Sequence, residues 1–259
     1  LDDNAPLKNP SPASWRNTHE QYWKNPETGK NYIYKGGRTL SFLPLAHAYG
    51  CAFDFLVQLV VGGHITLLGR MPSPKILIDA MQEVKPTIVC SVPLILEKVY
   101  RKQIAPMLEK GPLSIAMKVP LVNEIVRSKI KAKLLESFGG NLEMFIVGGA
   151  PMNHETEAFL KSIHFPIIVG YGMTECAPLI CVTPQPEDYK LGSCGQYLKD
   201  YLDVKIESSD PQHIPGEIMV RGEMVMQGYY KNTVDTDAVL EADGWMHTGD
   251  MGVMDADGT

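Results

Sequence analysis

Between Leu40 and Val169, short apolar runs of strand length alternate with longer stretches of helical spacing. The first run ends at Pro44, Cys51 to Val61 is spaced as a helix that stops at Gly62-Gly63, and Ile65 to Leu68 reads as a strand. Ile76 to Val84 predicts a helix closed near Pro86, and the β-branched run Thr87 to Ser91 suits a buried parallel strand. Pro93 to Ile104 opens with a proline fitted to a first helical turn, and Val122 to Phe138 halts at Gly139-Gly140. Strand Leu142 to Val147, helix Glu155 to Ile163 and strand Pro166 to Val169 complete the series. The alternation predicts an α/β fold, layered α/β/α around a parallel or mixed sheet.

The flanks have a different texture. Residues 1–40 carry Pro6, Pro10, Pro12 and Pro26 among Asn, Lys and Thr, which predicts an irregular lead segment with at most short edge strands. From Leu191 onward, short alternating segments such as Val204 to Glu207 and Glu217 to Arg221 predict a small β subdomain. The expected division is a lead at 1–40, an α/β part at 41–190, and the β part at 191–259 of the same large domain. Asp255 to Thr259 reads as a hairpin turn whose second strand is missing. No internal repeat is visible.

Two strands run directly into glycine. Leu142 to Val147 leads into Gly148-Gly149-Ala150-Pro151, and Pro166 to Val169 leads into Gly170-Tyr171-Gly172-Met173-Thr174-Glu175. In an open α/β sheet, ligands bind beyond the carboxyl ends of strands, and glycine lets a base or phosphate approach the backbone. A lone Gly-Gly-Ala-Pro is as well explained by a tight turn. The second motif adds an aromatic face in Tyr171, a hydroxyl in Thr174 for a phosphate oxygen, and a carboxylate in Glu175 for a hard divalent cation. Near the end, Asp250 in Thr248-Gly249-Asp250 has the chemistry to accept hydrogen bonds from the vicinal hydroxyls of a ribose. By itself, Thr-Gly-Asp is an ordinary turn.

Composition narrows the partners. A net charge of −6 over 259 residues, with no long basic block, argues against nucleic acid. The five cysteines form no Cys-x-x-Cys pair and lack zinc-site spacing, so they read as buried or incidental thiols, and a cytoplasmic, reducing setting is the expectation. No apolar run is long enough to span a bilayer, and oligomeric state is not legible. Peripheral contact with a membrane stays open. The chain begins with Leu1 and lacks a signal peptide, which suggests a fragment or a processed chain.

Together the motifs carry a resemblance. Ser41-Phe42-Leu43-Pro44-Leu45-Ala46-His47, the two glycine exits, Gly216-Glu217-Ile218-Met219-Val220-Arg221-Gly222 with Gly228-Tyr229-Tyr230, and Asp243 to Asp250 occur in one order over about Leu40 to Thr259. In that order they resemble the signatures of the adenylate-forming superfamily, and Leu-Pro-Leu-Ala-His with Tyr-Gly-Met-Thr-Glu is most similar to its fatty acyl-CoA synthetases. The resemblance implies a ligase that converts a fatty acid and ATP to acyl-AMP and passes the acyl group to coenzyme A. It implies that Gly148, Gly149, Ala150 and Pro151 bind adenine together with the loop Gly170, Tyr171, Gly172 and Met173. Tyr171 would stack on the base, Thr174 would contact phosphate, Glu175 would hold Mg2+, and Asp250 would bind the ribose. His47 would sit beside the acyl pocket, although a lone histidine among apolar residues is more commonly a core residue. Arg221 reads as structural.

The sequence departs from that family in two places. The Ser/Thr/Gly-rich phosphate loop is not found before the first motif, and Glu27 to Lys30 and Lys35 to Arg38 read as surface loops. The chain stops before the family's hinge arginine and lysine-bearing domain, so the isolated chain is expected to bind nucleotide without forming acyl-AMP at a useful rate. Two other readings are a non-catalytic nucleotide-binding module and adenylation of another carboxylic acid. An amino acid substrate would need a buried carboxylate for its ammonium group, and none is identifiable.

Overall fold

The computed structural model describes residues 31–106 and 120–259. The Glu27 to Lys30 turn and most of the lead segment lie outside them. Two sheets form the frame. The larger has seven strands in the order β2-β1-β3-β4-β5-β6-β7: β1 (Arg38–Ser41), β2 (His64–Leu67), β3 (Ile88–Ser91), β4 (Met144–Val147), β5 (Ile167–Tyr171), β6 (Cys181–Val182) and β7 (Gln196–Tyr197). The first five are parallel, while β6 and β7 are antiparallel additions beyond β5. The smaller sheet is antiparallel, with β9 (Gly216–Gly222) between β8 (Leu202–Glu207) and β10 (Met246–Gly252).

The central strands β3 and β4 are almost wholly apolar because both faces are covered, whereas β1 carries Arg38, Thr39 and Ser41 and the edge strand β2 is largely exposed. Val89, Phe145, Val147 and Ile167 turn to one face, where the helices Pro74–Val84, Pro93–Val99, Pro120–Ser137 and His154–Ser162 supply Leu77, Met81, Leu96, Leu134 and Leu160. Ile88, Cys90, Met144, Ile146 and Ile168 turn to the other, against Val57, Tyr32, Ile33 and Leu198. Among the described residues the layers are therefore unequal, with four helices on the first face and one helical segment on the second. That segment is irregular: Gly50–Leu56 is π-helical before α-helix Val57–Val61, and Pro93–Val99 continues as a π-helical turn, Tyr100–Ile104.

Most predicted elements are present with shifted ends. The boundary at residue 40 is displaced: β1 begins at Arg38, and Tyr32 and Ile33 are buried in the core, so the last residues of the lead belong to the sheet. Helix Thr233–Val239, capped by Asn232, was not foreseen. The closing turn is present: the Asp255 amide donates to the Thr259 carbonyl, and Gly258 accepts from the Tyr197 amide, which attaches the turn to β7.

Candidate functional site

The strand exits predicted from glycine lie side by side, because β4 and β5 are neighbours paired in register, Val147 opposite Val169. Beyond β4, Gly149 adopts a left-handed φ of 82°, and the Asn153 amide donates to Glu97 Oε1 at 2.7 Å. Asn153 also caps the following helix by accepting from the Thr156 amide at 3.2 Å. At the other end the Gly148 amide donates to the Ser91 carbonyl at 3.2 Å, so the 148–153 segment is held at both ends. Beyond β5, the chain turns back on itself so tightly that a Cβ on Gly172 would fall 1.9 Å from the Pro178 carbonyl oxygen. Only glycine fits there.

Two cavities open at these exits, sharing Val147, Gly149, Gly170, Tyr171 and Gly172. The roomier, of about 420 Å³, is walled by Ala150, Pro151, Asp250 and the 192–194 loop. The tighter, of about 60 Å³, is walled by His47, Tyr49, Phe53, Thr174 and Leu179, and is mostly apolar. Tyr171 stands between them. Its hydroxyl donates to Asp250 Oδ2 at 2.7 Å, and burial and then the Asp250 carboxylate raise the phenol's pKa, so it stays protonated.

Asp250 reaches the crevice through an irregularity in the small sheet. The β9–β10 register shifts between His247 and Met251, a bulge that re-aims the strand. Three bonds hold the bulge. Gly249 donates its amide to Glu217 Oε1 at 2.9 Å, Thr248 donates its hydroxyl to the Ile218 carbonyl at 2.8 Å, and Asp250 donates its amide to Thr248 Oγ1 at 3.2 Å. The same Glu217 accepts from His247, whose other ring nitrogen faces Glu241, each at 2.9 Å. The hydrogen bond to Glu217 leads in raising the imidazole's pKa.

The opposite wall depends on a buried carboxylate that sequence reading missed. Glu157, on the helix His154–Ser162, accepts from the Tyr189 hydroxyl and from the Gly192 amide. It fixes the loop that carries Ser193 and Cys194. The only sequence signal for it was a glutamate on the apolar side of that helix.

The remaining predicted residues divide. Gly148, Met173, Thr174 and His47 line the tighter cavity, and His47 Nδ1 accepts from the Tyr49 amide at 3.2 Å. His47 is exposed rather than a core residue. Glu175 lines neither cavity: its Oε1 accepts from the Tyr229 hydroxyl at 2.9 Å. Among the described residues no three-ligand metal cage includes Glu175. A magnesium ion needs only one or two carboxylates when phosphates and water complete its octahedron, and Glu175 offers one carboxylate next in sequence to Thr174 of the cavity wall. Arg221 is structural as expected, bonding Asp203 at 2.8 Å and lying 4.7 Å from the Trp245 ring centre.

The crevice at the sheet's carboxyl edge thus combines an aromatic face with a carboxylate acceptor. A family profile described as AMP-binding enzyme matches residues 13–230. The chain belongs to the family of AMP-binding enzymes. The match begins at residue 13, so it includes much of the 1–40 lead segment, for which the sequence predicts no family match. Similar curated proteins include long chain acyl-CoA synthetase 4 of Arabidopsis thaliana, 31% identical over 250 residues, covering 85% of this chain and 36% of the relative. Human long-chain-fatty-acid–CoA ligase 1 is 30% identical, over 85% of this chain and 33% of the ligase. The 4-coumarate-CoA ligase 2 of Narcissus pseudonarcissus is 36% identical over a shorter 162 residues, covering 58% of this chain and 28% of the ligase. The chain thus spans about a third of the length of these relatives. Among solved structures, o-succinylbenzoate coenzyme A synthetase of Bacillus subtilis in complex with AMP superposes with a TM-score of 0.63 at 25% identity, covering 87% of this chain and 40% of that one. MatB of Rhodopseudomonas palustris shares the fold, with a TM-score of 0.67 at 22% identity over 95% of this chain and 42% of that one.

Proposed function

We propose that this AMP-binding enzyme chain forms the nucleotide- and acyl-binding part of an ATP-dependent fatty acid–CoA ligase. The hydrogen bond between Tyr171 and Asp250 carries the reading, because it joins a stacking surface to a ribose acceptor at the mouth of the roomier cavity. In this reading the 148–151 and 170–173 backbones receive adenine, Tyr171 stacks on it, and Asp250 accepts from the ribose hydroxyls. Thr174 lies on the acyl side, where its hydroxyl can meet the α-phosphate as the fatty acid's carboxylate approaches past His47. Magnesium on Glu175, when bound, offsets phosphate charge. The reading includes coenzyme A as acceptor.

Both steps concentrate negative charge, yet among the described residues no Lys or Arg lines either cavity. These residues supply binding and orientation, and the cationic stabilisation of the transferring group comes from elsewhere. Titration calorimetry with AMP tests the reading. Saturable binding that weakens in Asp250→Ala is expected, and no heat of binding in the folded protein would overturn it. The substrate class rests on the long-chain relatives. The Tyr49 and Phe53 walls and the small volume of the acyl-side cavity favour a second reading, a flat aryl acid. Acyl-CoA formation by the full-length protein across a panel of fatty and aryl acids separates the two.

The described residues contain no helix long and apolar enough to cross a membrane. The free cysteines support a reducing compartment such as the cytoplasm as the proposed location, checked by cell fractionation.

A further inference from the structure

Two thiols meet at the rim of the roomier cavity. Cys194 lines that cavity on the loop held by Glu157, and Cys181 lies on β6, paired with Tyr171 on one side and Tyr197 on the other. The sequence separates them by 13 positions, but the chain folds back. Gly195, at a left-handed φ of 89°, passes so close to β6 that a Cβ there would fall 2.1 Å from the Thr183 nitrogen. That approach brings the Cys194 and Cys181 side chains within hydrogen-bonding reach of each other. Both are half-buried and neither is in a disulfide. The two differ in chemistry as well. The hydrogen bond from Cys181 lowers the Cys194 pKa, whereas the same bond and then burial raise that of Cys181. Asp250 opposes the Cys194 shift through its charge.

We propose that Cys194 and Cys181 form a peroxide-oxidisable thiol pair, with Cys194 attacking from the open cavity and Cys181 resolving the product as a disulfide. Hydrogen peroxide is the oxidant. The Cys194 thiolate attacks one peroxide oxygen, the O–O bond breaks, and the sulfur is oxidised to sulfenic acid as hydroxide leaves. Cys181 sulfur then attacks that sulfur, forming the S–S bond, and the sulfenic oxygen leaves as water with the proton that Cys181 surrenders. Peroxide is thereby reduced to two waters once the hydroxide takes up a proton. The geometry has the features such chemistry needs: a thiol that lines the open cavity and a second thiol within reach behind it. The disulfide would tie the 192–194 loop to the strand beside Tyr171, so the proposal's effect on ligand rests on the nucleotide reading above.

The test uses the purified 259-residue chain treated with hydrogen peroxide, alkylated and digested with trypsin without reduction. Lys190 separates the two cysteines into different peptides, and fragmentation between residues 176 and 181 distinguishes Cys181 from Cys176. The expected product is a Cys181–Cys194 linked pair that dithiothreitol releases and that Cys194→Ser does not form. A link through Cys176, or Cys194 converted to sulfinic acid without a link, would overturn the pairing. AMP calorimetry runs alongside. Reduced protein that binds AMP while the disulfide form binds about fivefold or more weakly supports coupling at the crevice. Equal affinity of the two forms would overturn that coupling. Failure of the reduced protein to bind AMP would count against the nucleotide reading and leave the disulfide result standing.

Discussion

The Tyr171 hydroxyl donates to the Asp250 carboxylate at 2.7 Å across 79 positions of sequence, tying a residue of the large sheet to one of the small sheet. On the proposed reading, a ribose hydroxyl arriving at Asp250 joins a carboxylate already oriented by that bond. Removing the carboxylate and removing the phenol oxygen therefore have different consequences.

Asp250→Ala deletes the acceptor. Hydrogen bonds to a charged group contribute about 1.5–3 kcal/mol each, so AMP affinity is expected to fall about tenfold to a hundredfold. Tyr171→Phe keeps the stacking face and loses only the orienting bond, for a loss of at most about tenfold. Calorimetry on both variants checks the ranking, and Tyr171→Phe matching Asp250→Ala would contradict it.

Glu157 is buried and satisfies both the Tyr189 hydroxyl and the Gly192 amide. Glu157→Ala leaves those donors without their acceptor and should cost about 2–5 kcal/mol in urea unfolding. Because Gly192 to Cys194 form a wall of the roomier cavity, AMP affinity is expected to drop in the fraction that stays folded. Unchanged stability would show that water replaces the carboxylate readily.

Asp54 is fully buried among Ser41, Leu43 and Cys90, and burial pushes its pKa up to about 7. An acid with a raised native pKa holds its proton in the folded state after the unfolded chain has released it. Stability is lost as pH rises from the unfolded value, about 4, to about 7, and levels off above that. Asp54→Asn removes this dependence. Thermal melts should therefore rank the variant against the wild type more favourably at pH 8 than at pH 4.5, and a difference independent of pH would refute the assignment.

At Gly172, the 1.9 Å approach of Pro178 leaves no space for a methyl group. Gly172→Ala is expected to cost about 1–3 kcal/mol or more, since the obstruction is backbone rather than a movable side chain. It should also displace the Tyr171 loop and reduce AMP binding. Circular dichroism melts read the first effect and calorimetry the second.

The parts of the crevice legible in the sequence were those marked by local chemistry. Gly148-Gly149 and Gly170 to Glu175 stand out because each follows an apolar strand, and because the second adds Tyr171, Thr174 and Glu175 to its glycines. Long-range partners left no such mark. Nothing near Glu157 indicates Tyr189, 32 positions away, and nothing near Glu175 indicates Tyr229, 54 positions away. Strands β6 and β7 are two residues each, too short for any period to register. The start of β1 was hidden because Arg38 and Thr39 are polar, although Thr39 is fully buried. The Thr233–Val239 helix escaped notice because none of its residues is buried, so it has no apolar stripe to read.

The third apolar cluster belongs to both sheets at once: Leu202, Val220 and Met246 of the small sheet pack with Cys176 and Ile180, and Tyr171 and Met173 lie against them. Oil of this kind does not slide as a wet boundary would. Loosening the small sheet would therefore strip packing support from beneath Tyr171. On the proposed reading, a mutation in that shared cluster weakens nucleotide binding without touching the ligand.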